Sequence, residues 1–264
     1  MSFNNKVVLV TGASSGIGAA IALKFAEEGA NVAIVGRNAD KLKNVSENIA
    51  KVGNKPLVIA ADVTKEDDAK RIVNDTVKQF GKLDVLINNA GVAEFVGITD
   101  ANVMTVFDHV MNTNFRSPVY LTHLASNHLI KTKGNIINIS SRAGQMVMER
   151  AFVYCTSKAA LDHFTRAIAL DFAPKGVRVN TISPGPVKTD VFENMGASKE
   201  MEKALWDQFT EKSPLKRISD PSEIAYLALF LASEKAVGIT GSTYVSDNGA
   251  LLASSNFAKT FELY

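Results

Sequence analysis

Short apolar runs recur along the chain, and longer segments with apolar residues at helical spacing separate them. The runs are rich in Val and Ile and show almost no alternation of polar and apolar positions. This composition is typical of strands that are buried on both faces of a parallel sheet. The predicted strands cover residues 7–10, 32–35, 57–60, 85–87, 136–139 and 177–182.

The intervening segments predict helices over residues 16–28, 39–51, 65–80, 102–130 and 153–172. This alternation predicts an α/β fold: an open, doubly wound parallel sheet with helices on both faces. No linker or internal repeat divides the chain, so we expect one domain over residues 1–264. Residues 187–215 are Pro-flanked, amphipathic and interrupted by Gly196. We expect them to form a lid over the carboxyl edge of the sheet, where ligands bind in such folds.

Composition excludes several classes of function. The 264 residues are 46% hydrophobic and 21% charged, with a net charge of +2, so neither nucleic acid nor an anionic membrane is an expected partner. The single cysteine, Cys155, excludes an internal disulfide, and the four histidines follow no zinc pattern; we expect no metal site. No segment has the pattern of a membrane span or a targeting signal, which predicts a cytoplasmic protein.

The turn after the first strand has the composition of a phosphate-binding loop. Glycines let a backbone turn tightly and let a pyrophosphate approach the amide groups at a helix N-terminus. The alternative is a tight turn in which Gly16 and Gly18 only permit close packing, and the spacing departs from G-x-G-x-x-G. The position of the turn between the first strand and helix favours dinucleotide binding. The candidate residues are Gly12, Ser14, Ser15, Gly16, Ile17 and Gly18.

The end of the second strand indicates which dinucleotide is bound. An acid is expected there when the ribose of NAD is recognised, but the chain has Arg37 and no carboxylate. A guanidinium can pair with the 2′-phosphate of NADP; the alternative is an Arg on a solvated turn. After strand three, Asp62 and Val63 are cofactor candidates, although Asp62 is equally suited to capping the next helix. After strand four, a small-residue floor for a flat ligand is expected at Asn89, Ala90 and Gly91.

Two side chains at the start of the helix 153–172 have the spacing of an acid–base pair. Tyr154 and Lys158 lie at i and i+4, so they share one helix face. An ammonium at roughly 6 Å, at an effective dielectric of about 20, favours a phenolate by about 3 kcal/mol, which lowers the phenol pKa by roughly 2 units. This predicts a Tyr154 pKa suited to proton transfer. By itself Y-x-x-x-K is also a frequent accidental pair.

Taken together, these motifs resemble one family. The chain contains, in this order, T-G-A-S-S-G-I-G, N-N-A-G, a serine after the fifth strand and Y-x-x-x-K. The same order is found in the short-chain dehydrogenase/reductases, and the resemblance spans residues 6–249. It implies a single Rossmann-like domain. The spacing of thirteen residues to Tyr154 selects Ser141 rather than Ser140 as the catalytic serine. The family's active-site asparagine matches Asn114 best.

The resemblance also implies roles for these residues. Tyr154 would exchange a proton with the substrate oxygen, and Ser141 would hold that oxygen. Lys158 would lower the pKa of Tyr154 and bind the nicotinamide ribose, while Asn114 would position a water. The turn after the sixth strand would anchor the nicotinamide carboxamide, with candidates Pro184, Gly185, Val187 and Thr189.

The expected activity is an NADP(H)-dependent oxidoreductase that interconverts a carbonyl and an alcohol, in a homodimer or homotetramer. Alternatives are a 3-oxoacyl-thioester reductase and a non-catalytic dinucleotide-sensing scaffold. Residues 145–150 lack the proline and glycine common in the family, and residues 256–264 extend past its usual end. The apolar side chains near the substrate favour a lipophilic carbonyl or alcohol, although they are equally consistent with ordinary packing: Phe95, Met146, Val147, Met148, Phe192, Met195 and Trp206.

Overall fold

A computed structural model describes residues 2–194 and 196–255 of the chain. Its centre is a seven-stranded sheet in which every adjacent pair of strands is parallel, in the order β3-β2-β1-β4-β5-β6-β7. The strands are β1 Val7–Thr11, β2 Asn31–Gly36, β3 Leu57–Ala60, β4 Val85–Asn88, β5 Asn135–Ile139, β6 Arg178–Pro184 and β7 Thr243–Ser246. The helices are α1 Gly16–Glu27, α2 Ala39–Ala50, α3 Glu66–Phe80, α4 Val103–Met111, α5 Ser117–Thr132, α6 Phe152–Phe172, α7 Val191–Asn194, α8 Lys199–Lys212 and α9 Pro221–Ala232.

The order of strands confirms the α/β, doubly wound fold. The chain first runs outward from β1 to β3 and then returns to place β4 on the other side of β1. The direction of winding therefore reverses between β1 and β4. In open parallel sheets this reversal opens a crevice at the carboxyl ends of the strands, which is where ligands bind.

Two apolar layers cover the sheet, as the non-alternating strands predict. All five residues of β1 are buried, yet successive side chains enter different layers. Val8 and Val10 pack with Phe25 of α1 and the buried face of α9. Leu9 packs on the opposite face with Leu121 of α5 and the buried side of α3. A strand with both faces covered has no solvent side, and this explains its lack of polar positions.

The helix predicted over residues 102–130 is divided in the structure. The α4 helix ends at Met111, a π-helical turn covers Asn112–Arg116, and α5 begins at Ser117. The Ser117 hydroxyl donates to the Asn112 carbonyl oxygen at 2.8 Å, and Pro118 occupies the first turn of α5. Proline has no amide hydrogen, so it begins a helix more readily than it continues one. Wide turns of this kind are frequent at functional sites.

Two elements of the structure, α9 and β7, are absent from the sequence prediction. The start of α9 nevertheless carries a sequence signal: the Asp220 side chain accepts from the Ser222 amide, and the Glu223 carboxylate accepts from the Asp220 amide.

The segment expected as a lid contains α7 and α8. Within the described part of the chain, every helix is too short or too polar to cross a membrane.

Candidate active site

The turn between β1 and α1 is closely packed against the segment that follows β4. Gly12 and Gly16 adopt φ values of +63° and +56°, which strain any residue with a side chain. A Cβ added to Gly12 would lie 2.8 Å from Ala90 Cα, and one added to Gly18 would overlap the Gly12 carbonyl oxygen. The glycines are therefore required by the close approach of two backbones and by the turn.

The N-terminus of α1 opens into a cavity of about 1140 Å³. Ser15, at the N-cap, makes no side-chain capping hydrogen bond, and the first turn carries no acidic residue. The amide groups and the positive end of the helix dipole can therefore receive an anion. Four predicted turn residues line this cavity, namely Ser14, Ser15, Gly16 and Ile17; Gly12 and Gly18 shape the turn beneath it.

The cavity extends past the end of β2. Arg37 is exposed and lines it, as the sequence predicts for a residue that meets the adenosine end of a dinucleotide. The Asp62 carboxylate accepts hydrogen bonds from the Thr64 amide (3.0 Å) and hydroxyl (2.8 Å). These bonds and the positive charge of Arg37 hold the pKa of Asp62 below its usual value, although burial opposes them. Val63 packs into the core, so only its backbone is available to a ligand.

The segment after β4 is held to the β1–α1 turn by an amide side chain. Asn89 Nδ2 donates to the carbonyl oxygens of Thr11 (2.9 Å) and Gly12 (3.1 Å). Asn89 and Gly91 line the cavity, whereas Ala90 lies against Gly12. The three residues predicted as a floor for a flat ligand therefore lie directly beside the β1–α1 turn.

Three predicted catalytic side chains meet at the carboxyl edge of β5. Ser141 follows β5 and accepts a hydrogen bond from the Ala143 amide at 3.1 Å. Tyr154, in the first turn of α6, is half-buried and hydrogen-bonds with the Ser141 side chain. The Lys158 Nζ lies 5.9 Å from the centre of the Tyr154 ring and donates to the Ile139 carbonyl oxygen at 3.0 Å. The hydroxyl, phenol and ammonium thus form one cluster.

The direction of the Tyr154 pKa corrects the sequence analysis. Burial raises the pKa of Tyr154 above its ordinary value, and the hydrogen bond with Ser141 opposes the rise only in part. Burial also lowers the pKa of Lys158, to about 8. The Coulombic argument neglected the loss of hydration, which disfavours the charged form of both groups. In this structure the net shift of the phenol pKa is therefore upward.

Asn114 lies inside the π-helical turn, and the structure brings it to the lysine. Its side chain donates to the Val92 carbonyl oxygen (2.8 Å) and accepts from the Val92 amide (2.8 Å). A Cβ added to Gly91 would lie 3.3 Å from Asn114 Oδ1 and 3.5 Å from Lys158 Nζ. The amide oxygen and the ammonium therefore both lie next to Gly91, which lines the cavity.

The turn after β6 reaches the opposite wall of the cavity. Gly185 donates its amide to the Ser246 carbonyl oxygen at 2.9 Å, directly after Pro184. Val187 is buried and forms a parallel bridge with Ser219. Thr189 lines the cavity, with its Cγ2 3.0 Å from the position of a Cβ on Gly16. The cavity therefore runs between the turn after β1 and the turn after β6.

Comparisons with known proteins agree with this geometry. A family model described as enoyl-(acyl carrier protein) reductase matches residues 12–250. An uncharacterized oxidoreductase of Thermotoga maritima is 40% identical over 252 residues, covering 95% of this chain and 99% of that protein. The chain belongs to the short-chain dehydrogenase/reductase family. It is accordingly an oxidoreductase of the type that uses a nicotinamide dinucleotide.

Two further members of this short-chain dehydrogenase/reductase family are similar over nearly their whole length. L-fucose dehydrogenase of Bos taurus is 37% identical over 250 residues, covering 95% of this chain and 91% of that protein. A crystal structure with cofactor of a short-chain dehydrogenase/reductase of unknown function from Caenorhabditis elegans has a TM-score of 0.90 and 37% identity, covering 95% of this chain and 96% of that one.

Several residues that line the cavity of this short-chain dehydrogenase/reductase carry no sequence signal. Lys41 and Asp190 form an ion pair of 3.2 Å across it, and His109 hydrogen-bonds with Glu94 on its wall. Each pair joins residues that are distant in the chain, so no local spacing could have revealed it. The capping pattern of Asn38, which accepts from the Lys41 amide, only locates the start of α2.

The side chains expected to face the substrate are divided by the structure. Phe95 lines the cavity, whereas Val147 is 88% exposed. Phe192 and Trp206 pack on each other, with ring centres 4.7 Å apart, and on the Phe209 ring. They form the aromatic core of residues 187–215. Met146 and Met148 are partly buried, and Met195 lies outside the described residues, as do residues 256–264.

Proposed function

We propose that this protein is an NADP(H)-dependent oxidoreductase that interconverts a carbonyl and a primary or secondary alcohol. The observation that carries the proposal is the cluster of the Ser141 hydroxyl, the Tyr154 phenol and the Lys158 ammonium at the carboxyl edge of β5. Such a cluster can hold a substrate oxygen and exchange a proton with it. The adjacent cavity has the volume and the helix N-terminus that a dinucleotide requires.

The cavity residues suit this cofactor. The free amide groups of the β1–α1 turn would bind the pyrophosphate, and Asn89, Ala90 and Gly91 would contact the adenosine side. Val63 would contribute its backbone there. The turn carrying Pro184, Gly185, Val187 and Thr189 would hold the carboxamide. The nicotinamide supplies or accepts the hydride, and the protein provides orientation and proton transfer.

Each catalytic side chain would perform one task. Ser141 would donate a hydrogen bond to the carbonyl oxygen of the substrate, and the Tyr154 phenol would give that oxygen its proton during reduction. A raised phenol pKa keeps Tyr154 protonated and therefore ready to donate. Lys158 would bind the ribose hydroxyls and, through a water held at Asn114, restore the proton to Tyr154.

Arg37 supports NADP(H) rather than NAD(H). Its exposed guanidinium lies at the cavity where a 2′-phosphate would sit, and the end of β2 has no carboxylate to accept hydrogen bonds from a free ribose hydroxyl. The bidentate geometry of a guanidinium suits a phosphate. Lys41, one helical turn along, adds a second positive charge on the same wall.

Two substrate classes have separate support. Phe95 on the cavity wall and the aromatic cluster of residues 187–215, acting as a lid, favour a lipophilic carbonyl compound. The hydrogen-bonded pair of Glu94 and His109 on the same wall favours a polyhydroxylated substrate, and relatives described as L-fucose dehydrogenase act in that class. The 3-oxoacyl thioesters and a non-catalytic sensing role remain the alternatives.

A substrate panel tests the proposal. Turnover is followed by the absorbance of the reduced nicotinamide, with both cofactors in parallel. The substrates are lipophilic ketones and aldehydes, 3-oxoacyl thioesters, and aldoses with NADP⁺ or NAD⁺. We expect turnover in one class, faster with the NADP(H) couple. Tyr154→Phe should abolish that turnover and retain cofactor binding, whereas Tyr226→Phe, an exposed control on α9, should leave both unchanged. Binding without turnover of any class would favour the sensing role.

A further inference from the structure

Asp162 is a buried acid on the same helix face as the proposed acid–base pair. Tyr154, Lys158 and Asp162 follow one another at intervals of four residues along α6. Asp162 is only 4% exposed, and neither of its carboxylate oxygens makes a hydrogen bond of normal geometry, although the Ser140 hydroxyl is close enough to lower its pKa. Buried carboxylates are rarely left unpartnered, because their loss of hydration is costly.

The Asp162 carboxylate packs against the segment that carries the proposed catalytic serine. The 3₁₀ turn Arg142–Gly144 follows Ser141 directly. A Cβ added to Gly144 would lie 2.7 Å from Asp162 Oδ2, so only glycine leaves room for the carboxylate. The Ser140 hydroxyl donates to the Lys158 carbonyl oxygen at 3.2 Å. Asp162 therefore lies between α6 and the serine turn.

The charges that face Asp162 identify its electrostatic partner. Burial raises the pKa of Asp162 above its usual value, and the positive charges of Lys158 and Arg166, both on α6, oppose this rise only in part. The Ser140 hydroxyl, which precedes the serine turn, also lowers the pKa of Asp162. Arg142 lies on that turn; burial lowers its pKa, and the charge of Asp247 opposes this shift.

The charge of Asp162 also affects the pKa of Lys158. Its side chain is 5% exposed, and burial lowers its pKa to about 8. The negative charge of Asp162 opposes that shift, and it is the one charge among the described residues that acts on Lys158 in this direction. The Lys158 Nζ has the Ile139 carbonyl oxygen as its hydrogen-bond acceptor. A carbonyl oxygen carries no net charge. The negative charge among the described residues that favours the ammonium is therefore that of Asp162, although the two groups are more than 4 Å apart.

We propose that Asp162 is a positioning residue whose buried carboxylate is the counter-charge of the Lys158 ammonium and supports the turn that carries Ser141. The inference rests on the proposed function, because that function makes the charge of Lys158 part of proton transfer. With Asp162 ionised, Lys158 stays protonated at neutral pH. Without it, the ammonium is buried with no balancing charge and loses its proton at a lower pH.

Asp162→Asn tests this with a matched control. The variant keeps the shape of the side chain and removes its charge, and Asp171→Asn removes an exposed carboxylate from the same helix. The pH profile of kcat is measured for the active substrate class. We expect the alkaline limb of Asp162→Asn to move to lower pH by about one unit, a tenfold change in the protonation ratio, and that of Asp171→Asn to stay in place. Asp162→Glu should restore the limb.

The outcomes separate a positioning role from a structural one. A uniform loss of activity with an unmoved alkaline limb would overturn the proposal, because a packing defect does not change the proton affinity of Lys158. The titration of the Lys158 Nζ by ¹⁵N NMR is a second readout that needs no substrate. It applies even if the wild type has no turnover, which would overturn the proposed function alone. An unchanged titration in Asp162→Asn, or in Asp162→Ser should the first variant not fold, refutes the inference.

Discussion

The Lys41 Nζ lies 3.2 Å from Asp190 Oδ2, so an ion pair joins the first turn of α2 to the segment that leads into α7. Both side chains line the cavity at the N-terminus of α1 and are about two-fifths exposed, at 39% and 41%. An ion pair this accessible to solvent contributes about 0–1 kcal/mol to stability. The pair matters for ligand binding, because a 2′-phosphate beside Arg37 would compete with the Asp190 carboxylate for the Lys41 ammonium.

Removing the competing carboxylate should therefore favour NADPH. We expect Asp190→Asn to bind NADPH several-fold more tightly while binding NADH as before, since only NADPH carries the 2′-phosphate. Dissociation constants from the fluorescence of the reduced nicotinamide measure this. Asp67→Asn, which breaks the surface pair with Lys70 on α3, is the control. An equal change for both cofactors would contradict the competition.

Reversing the charge at Arg37 should change cofactor preference. We expect Arg37→Asp to reduce kcat/KM for the NADP(H) couple by about 10–100-fold, because a hydrogen bond to a charged group contributes about 1.5–3 kcal/mol. NAD(H) should become the better cofactor, since the new carboxylate can accept from ribose hydroxyls. Lys43→Asp places the same reversal on an exposed position of α2. Unaltered selectivity in Arg37→Asp would refute the assignment of Arg37.

A methyl group on Gly18 should disrupt the phosphate-binding turn. In Gly18→Ala the new Cβ overlaps the Gly12 carbonyl oxygen and the Asn89 side-chain nitrogen, so the β1–α1 turn must move. Such overpacking costs about 1–3 kcal/mol. Chemical denaturation should record this loss, and cofactor affinity should fall with it. Gly238→Ala is the matched control, because nothing lies within 4 Å of its added Cβ; equal stability of the two variants would contradict the packing.

The burial of Lys158 predicts that the stability of the protein depends on pH above pH 8. Burial lowers its pKa from 10.5 to about 8, so below pH 8 the group is charged in both states and the folded state bears the whole cost of desolvation. This cost falls as pH rises from 8 to 10.5, where the unfolded chain binds more protons, and is absent above that range. At 1.36 kcal/mol per pKa unit it amounts to about 3 kcal/mol at most.

Lys158→Met should abolish turnover. The free energy of unfolding of the wild type, relative to that of this variant, should rise by about 1–3 kcal/mol between pH 8 and pH 10.5, because only the wild type carries the desolvation cost that falls in this range. Denaturant titrations at pH 7 and pH 10 measure this rise. Lys131→Met, at an exposed position of α5, should be nearly neutral at either pH. An equal difference in stability between the wild type and Lys158→Met at pH 7 and at pH 10 would contradict the lowered pKa of Lys158.

Features contained in one short segment could be predicted from the sequence, whereas other features of the fold could not. The turn at Gly12–Gly18 and the spacing of Tyr154 and Lys158 could be recognised because each lies in one short segment. The division between α4 and α5 could not, since all of residues 102–130 have helical periodicity. The Asp220 and Glu223 capping pair is a local sequence signal for the start of α9.

The sequence by itself determined the parallel sheet and the family, and it predicted the cluster of Ser141, Tyr154 and Lys158, because apolar periodicity and motif spacing are properties of neighbouring residues. Only the tertiary structure decided the pairing of Lys41 with Asp190, which are 149 positions apart. It also decided that the pKa of Tyr154 is raised and that Asp162 is buried, one helical turn after Lys158. These depend on how much water the surrounding elements remove from a charged group, and hydration is set by contacts across the whole fold.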